Sequence, residues 1–125
     1  MASGIVDELI DSAEEINGVK VITALLAGVG VDEMRSTGDK LRDKLGTALV
    51  VLASDNDGKV NFVAMASQDA VKKGVHCGNI VREAAKIAGG GGGGKPDSAA
   101  AGGKDASKIP EAFESVKGFV EANVK

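Results

Sequence analysis

Six consecutive glycines, Gly89 to Gly94, followed by Lys95, are the residues of this 125-residue chain whose type and spacing first suggest chemistry. Backbone N–H groups without side chains in the way form a surface that a phosphate or another backbone can approach closely. The run formally fits G-x-x-x-x-G-K, the spacing of a nucleotide phosphate loop. That loop also needs Ser or Thr next, a strand before it and a helix after it. Here Pro96 follows, a helical pattern precedes, and Asp97, Ser98 and small residues lie beyond. Six glycines fit any glycine pattern, so neither a nucleotide loop nor a dinucleotide fingerprint is specified. A flexible linker is the simplest alternative, because ordering so many glycines is costly in chain entropy. Two features oppose it. The run sits between helices that a core needs, and a second unusual patch, Ala99-Ala100-Ala101-Gly102-Gly103-Lys104-Asp105, follows at once. Lys95 and Lys104 bracket the two.

Other reactive residues are few. His76 and Cys77 are the only His and the only Cys. Adjacent residues rarely face one another, and no third group is placed to orient them, so they read as a loop before a helix that starts near Asn79. A structural zinc site needs about four such ligands. One Cys closes no disulfide within the chain. Metal-assisted hydrolysis needs clustered His and Asp ligands that a single His cannot supply.

Charge is uneven along the chain. The net value of −3 argues against bulk DNA coating. Residues 1–57 hold 5 basic and 11 acidic side chains, whereas residues 58–109 hold 8 basic and 4 acidic. A polyanion would prefer the second region, and the expected basic face is Lys72, Lys73, Arg82, Lys86, Lys95 and Lys104. The alternative is an ordinary solvated Lys-rich surface. With no Trp or Tyr, and with only Phe62, Phe113 and Phe119, the chain lacks the aromatic platforms on which single-stranded RNA readers stack bases. Met1-Ala2-Ser3-Gly4 leads into an acidic helix without the basic and apolar regions of a secretory leader, so a reducing cytoplasm is expected. No apolar run approaches membrane-spanning length.

The elements that must position these residues follow from periodicity. Ile5, Leu9, Ala13 and Ile16, widened by Val6 and Ile10, predict a helix over residues 1–17, capped by Ser3 and stopped by Asn17-Gly18. Val19 to Leu26 reads as a strand. Met34, Leu41 and Leu45 form the apolar face of a helix capped by Asp32. Gly38 interrupts that face, as close packing against another backbone would require, and Gly46 closes the helix. Ala48 to Ala53 is a strand buried on both faces. Asp55-Asn56-Asp57-Gly58 joins it to a second strand, Val60 to Ser67, as an antiparallel hairpin. Val71 to Gly74 is a short helix or turn, and Asn79 to Ala88 is a helix. Pro110 opens a last helix with Phe113, Val116, Val120 and Val124 on one stripe. The order predicts a small α/β sandwich with a mixed sheet and flanking helices.

At the glycine run and Lys95-Pro96-Asp97, then Ala101-Gly102-Gly103-Lys104-Asp105, the chain resembles the C-terminal domain of alanyl-tRNA synthetases, a member of the DHH-associated superfamily. Gly18-Val19-Lys20-Val21, Asp39-Lys40-Leu41, Asp57-Gly58-Lys59-Val60 and Asn79-Ile80-Val81-Arg82-Glu83 fall where that family has similar segments. Ser98 and Ala100 stand where the family pattern has Met and Gln. The resemblance implies a helical lead-in over 1–17, the stub of a longer helical region in a fragment beginning near Met1, and a globular domain over 18–125 with a glycine loop at 89–94. It implies a non-catalytic module that binds the outer corner of alanine tRNA and helps couple charging with editing, and that in some members contributes to dimerisation; in this chain self-association would use the apolar stripe of the first helix. Nucleic-acid contacts are expected from Lys72, Lys73, Arg82, Lys86, Gly91, Gly92, Gly93, Gly94, Lys95 and Lys104. No cofactor is expected in this stretch; ATP, alanine and zinc sites would belong to the rest of an ATP-dependent parent ligase. The alternatives are the accessory domain of a DHH-type phosphodiesterase, whose Asp-His-His centre this chain lacks, and a pure dimerisation module.

Overall fold

The chain's fold is given by a computed structural model, which describes residues 8–26, 28–56 and 58–124. The apolar run at Ala48–Ala53 becomes the middle of the longest strand. β1 (Glu14–Ile16) and β2 (Val19–Leu25) precede it, β3 is Ala48–Asn56, and β4 is Lys59–Ala66. α1 (Val31–Leu45) connects β2 to the parallel β3. After β4 come α2 (Gln68–Lys73) and α3 (Cys77–Ile87), then β5 (Gly91–Gly94), β6 (Ser98–Gly103), a 3-10 turn (Ala106–Lys108) and α4 (Ile109–Asn123). Among the described residues the six strands form one mixed sheet in the order β1-β2-β3-β4-β6-β5. Only the β2–β3 pair is parallel.

Side chains alternate across the sheet, so β2, β3, β4 and β6 each feed two cores. Val19, Val21, Leu49, Val51, Phe62 and Ala64 join Ile80, Val81, Ala84, Val116 and Val120 beneath α3 and α4. Ile22, Val50, Leu52, Val63 and Met65 join Met34 and Leu41 beneath α1. β3 is buried on both faces, as its continuous apolar run requires. Gly38 lies on the buried face of α1, where a Cβ would stand 2.9 Å from Met65 Sδ. The close approach read from its position is therefore made to a side chain of β4. Ser67 caps α2, its Oγ accepting N–H bonds from Ala70 at 3.2 Å and Ala48 at 3.1 Å. Pro110 occupies the first turn of α4.

Several elements differ from the sequence reading. The helix expected over 1–17 extends only through residue 11 among the described residues, and Glu14–Ile16 is a strand paired antiparallel with Val19–Val21. Asn17 (φ 51°) and Gly18 (φ 85°) are both left-handed, so they form the two-residue turn of a hairpin, not a helix stop. The hairpin bridges residues 17 and 18, so the stretch expected as a helical lead-in supplies an edge strand. Leu9, Ile10 and Ala13 still pack on the α1 core, while Ile16 packs on the other. Ser3, Ile5 and Val6 lie outside the described residues, as does Asp57 of the β3–β4 turn. α1 is capped by Gly30 without a side-chain hydrogen bond; Asp32 lies within its first turn. α3 begins two residues before Asn79.

Candidate nucleic-acid interface

The glycine run is neither a loop nor a linker. Gly91–Gly94 is the outermost strand of the sheet, antiparallel to β6 with Gly91 opposite Gly102 and Gly94 opposite Ala99. Only Gly89 and Gly90 remain in the turn from α3, and Gly89 has the left-handed φ (80°) that favours glycine. Lys95 donates its N–H to Ser98 O at 2.9 Å, closing the tight Pro96-Asp97 turn. In an antiparallel ladder, hydrogen-bonded and non-bonded pairs alternate. Lys95 and Ser98 being a bonded pair, Gly93 and Gly91 bond inward to β6, Gly92 directs its backbone groups to the free edge, and the Gly94 carbonyl lies against Gly78 at the start of α3. The strand is narrow of necessity. A Cβ on Gly92 would overlap Ala101, and one on Gly94 would stand 2.8 Å from Ala99 Cα. Gly91, by contrast, has no atom within 4 Å of the space a side chain would take.

α3 holds this strand in place. Its first two N–H groups donate to the β5–β6 turn, Cys77 to Pro96 O at 2.8 Å and Gly78 to Lys95 O at 3.2 Å. At the other end Gly90 donates to Ala85 O, while Lys104 and Asp105 both donate to Ala88 O. Gly78 is forced by the approach, since its Cβ would meet Gly94 O at 2.5 Å. His76 caps α3 by accepting the Asn79 N–H on Nδ1 at 3.1 Å. Cys77 is fully buried, and burial above all, with the nearby Asp97 charge second, pushes its thiol up to about 12. The His-Cys pair is thus a cap and a core residue.

The structure brings four of the six expected cations to this edge. An Arg82 Nη2 lies 4.0 Å from where a Gly93 Cβ would stand, Lys86 follows one helical turn along α3, Lys95 directly follows β5, and the Lys104 side chain lies beside Gly89. None of the four is in an ion pair among the described residues. Asp105, beside them, has its carboxyl held below the usual range, first by the hydrogen bond from the Ser107 hydroxyl. Lys72 and Lys73 do not join this group. α2 crosses the end of the sheet: Gln68 at its start donates to Asp97 Oδ2 at 3.3 Å, but Lys73 at its end reaches Gly18 in the β1–β2 turn. Four strand spacings, roughly 19 Å, separate β2 from β5. One cation at the edge escaped the sequence reading. Arg35 of α1 lines an open groove of about 570 Å3 with Gly93, Gly94 and Lys95. It belongs to the acidic half of the chain, and only the fold brings it there. No group of three or more metal-ligating side chains occurs among the described residues, and no described helix is long and apolar enough to cross a membrane.

A mixed α/β sandwich ending in a glycine strand splinted by a helix defines the class, and the chain belongs to the DHHA1 domain family, whose model matches residues 4–122. More particularly, it is homologous to the C-terminal domain of alanine–tRNA ligases. It is 52% identical over 117 residues to the alanine–tRNA ligase of Alkaliphilus oremlandii, covering 94% of this chain and 13% of that protein. The C-Ala domain of Aquifex aeolicus alanyl-tRNA synthetase superposes with a TM-score of 0.81 at 32% identity, over 87% of this chain and 97% of that one. RecJ from Thermus thermophilus shares the fold over 99% of this chain and 18% of its own, with a TM-score of 0.68 at 14% identity.

Proposed function

We propose that this chain is a non-catalytic tRNA-binding module of an alanine–tRNA ligase, and that it takes the outer corner of alanine tRNA against the glycine strand. The observation that carries the reading is the geometry of that edge: backbone without side chains, rimmed by Arg82, Lys86, Lys95 and Lys104. Cations without acidic partners favour a polyanion, and bare backbone lets it approach. The high identity to alanine–tRNA ligases favours this over a phosphodiesterase accessory role, for which the likeness is one of fold. In the parent, the module would help couple charging with editing in the cytoplasm, and ATP, alanine and zinc would be handled outside these residues. Recognition here is of shape and phosphate, since the edge presents no aromatic platform.

Titration of fluorescently labelled alanine tRNA at several salt concentrations tests this. Affinity is expected to fall with salt, and Lys95→Ala or Arg82→Ala should lower the salt slope by about one unit per lost phosphate contact. Different tRNAs should be affected alike. Binding that ignores salt, or no binding at low salt, overturns the reading. The purified chain is also expected to show no alanine-dependent ATP–pyrophosphate exchange.

A further inference from the structure

On the face that carries α1, helical cover stops short of the glycine edge. α1 packs on β3 and β4. Beyond it, β6 turns Ser98, Ala100 and Gly102 to that face, as the packing of Ala100 on the α1 core and of Ala99 on the opposite core establishes. Opposed residues of an antiparallel pair share a face, so β5 adds Gly93 and Gly91 there. The result is a shelf with almost no side chains. Its one wall is α1, and the charged group that α1 sends to it is Arg35. Arg35, Lys95 and Asp97 line the groove above the shelf, and Asp97 is engaged by Gln68 at 3.3 Å. Arg35 is exposed and makes no ion pair among the described residues. Gly93 is therefore approached by two guanidinium groups carried on helices of opposite faces, Arg82 of α3, which reaches the edge, and Arg35 of α1, which lines the groove.

We propose that Arg35 is a second-face phosphate contact, so that an RNA backbone at the glycine edge is held by cations from the helices of both faces. The proposal rests on the tRNA-binding reading above. A planar guanidinium presents paired N–H donors that match phosphate oxygens two at a time, which a lysine ammonium does not. The groove beside Arg35 is open to a sugar–phosphate strand because Ser98, Ala100 and Gly93 leave it empty.

The test is anisotropy titration of labelled alanine tRNA with Arg35→Ala, Arg35→Lys, Arg82→Ala and Lys40→Ala, each first checked for an unchanged melting temperature. Lys40 removes the same charge from the same helix, about 140° round from Arg35, and is exposed. Arg35→Ala is expected to weaken binding about three- to tenfold and to lower the salt slope by about one unit. Arg35→Lys should keep the slope and recover only part of the affinity. Lys40→Ala should match the unaltered protein. If Arg35→Ala binds no worse than Lys40→Ala while Arg82→Ala is weakened, the second-face contact is refuted and the tRNA reading stands. If Arg82→Ala is also unaffected, the reading itself fails and this inference with it.

Discussion

Adding one methyl group at neighbouring positions of the glycine strand should have opposite effects. At Gly92 a Cβ would overlap the Ala101 side chain and stand 2.5 Å from Ala101 Cα. Both obstacles are fixed to the backbone, so β5 must swing away from β6. That strains the flanking Gly91–Gly102 and Gly93–Ala100 pairs. Overpacking costs about 1–3 kcal/mol and a weakened hydrogen bond about 1 kcal/mol. Gly92→Ala should therefore cost about 2–3 kcal/mol, which lowers Tm by about 6–12 °C in a chain of this length. At Gly91 nothing lies within 4 Å and φ is not left-handed. Gly91→Ala should raise stability by about 0.4–1 kcal/mol by restricting the unfolded chain. Thermal unfolding followed by circular dichroism measures both. Gly91→Val extends the comparison to function: the fold should survive, and tRNA affinity should drop about tenfold as the side chain stands on the shelf. A Gly92→Ala protein as stable as the original would refute the close-approach argument. A stable Gly91→Val protein that binds tRNA normally would remove the shelf from the contact surface.

Other expectations follow from single groups. Cys77 keeps its proton in the folded chain up to about pH 12 and loses it near 9 when unfolded. The native state then holds one proton more between those values, so the thiol's contribution to stability should be flat below pH 9 and fall above it by about 1.4 kcal/mol per pH unit. Urea unfolding at pH 8, 9 and 10 should show that slope in the original protein and its reduction in Cys77→Ala. The same thiol should resist disulfide reagents until the chain is unfolded. Gly118, on the exposed face of α4 with no atom near its missing Cβ, should accept alanine with a gain of about 1 kcal/mol from helix propensity. A melting temperature unchanged within a degree would contradict it.

The parts of the fold written in side chains were readable from the sequence. The β3–β4 hairpin announces itself through two apolar runs and a short polar turn. α3 and α4 do so through helical spacing, with Pro110 at the start of α4. The unread elements are those whose order comes from the tertiary structure. Gly91–Gly94 and Ser98–Gly103 have the composition least suited to strands, and they pair because β4 offers an edge and α3 holds the ribbon against it. β1 was masked because Leu9, Ala13 and Ile16 also fit a helical stripe, although Asn17-Gly18 is a strong hairpin signal. At the candidate site, clustering by sequence distance grouped Lys72 and Lys73 with the glycines. α2 carries them toward the opposite edge, while Arg35, more than fifty residues upstream of Gly93, is folded in.

The hydrogen bonds at both ends of α3 give the glycine ribbon a stiffness it lacks by itself. Cys77 and Gly78 anchor one end, and Lys104, Asp105 and Gly90 anchor the other. An edge strand of glycine on its own would sample many conformations, and a ligand would have to freeze them. Here that ordering is completed when the domain folds, because the helix is itself fixed by Ile80, Val81 and Ala84 in the core. The ribbon's mobility is then governed by the helix. Core changes beneath α3 that loosen it, such as Ile80→Val, should weaken whatever docks on the glycines without touching them. Tight binding at this edge is, in mechanical terms, a property of the beam behind it.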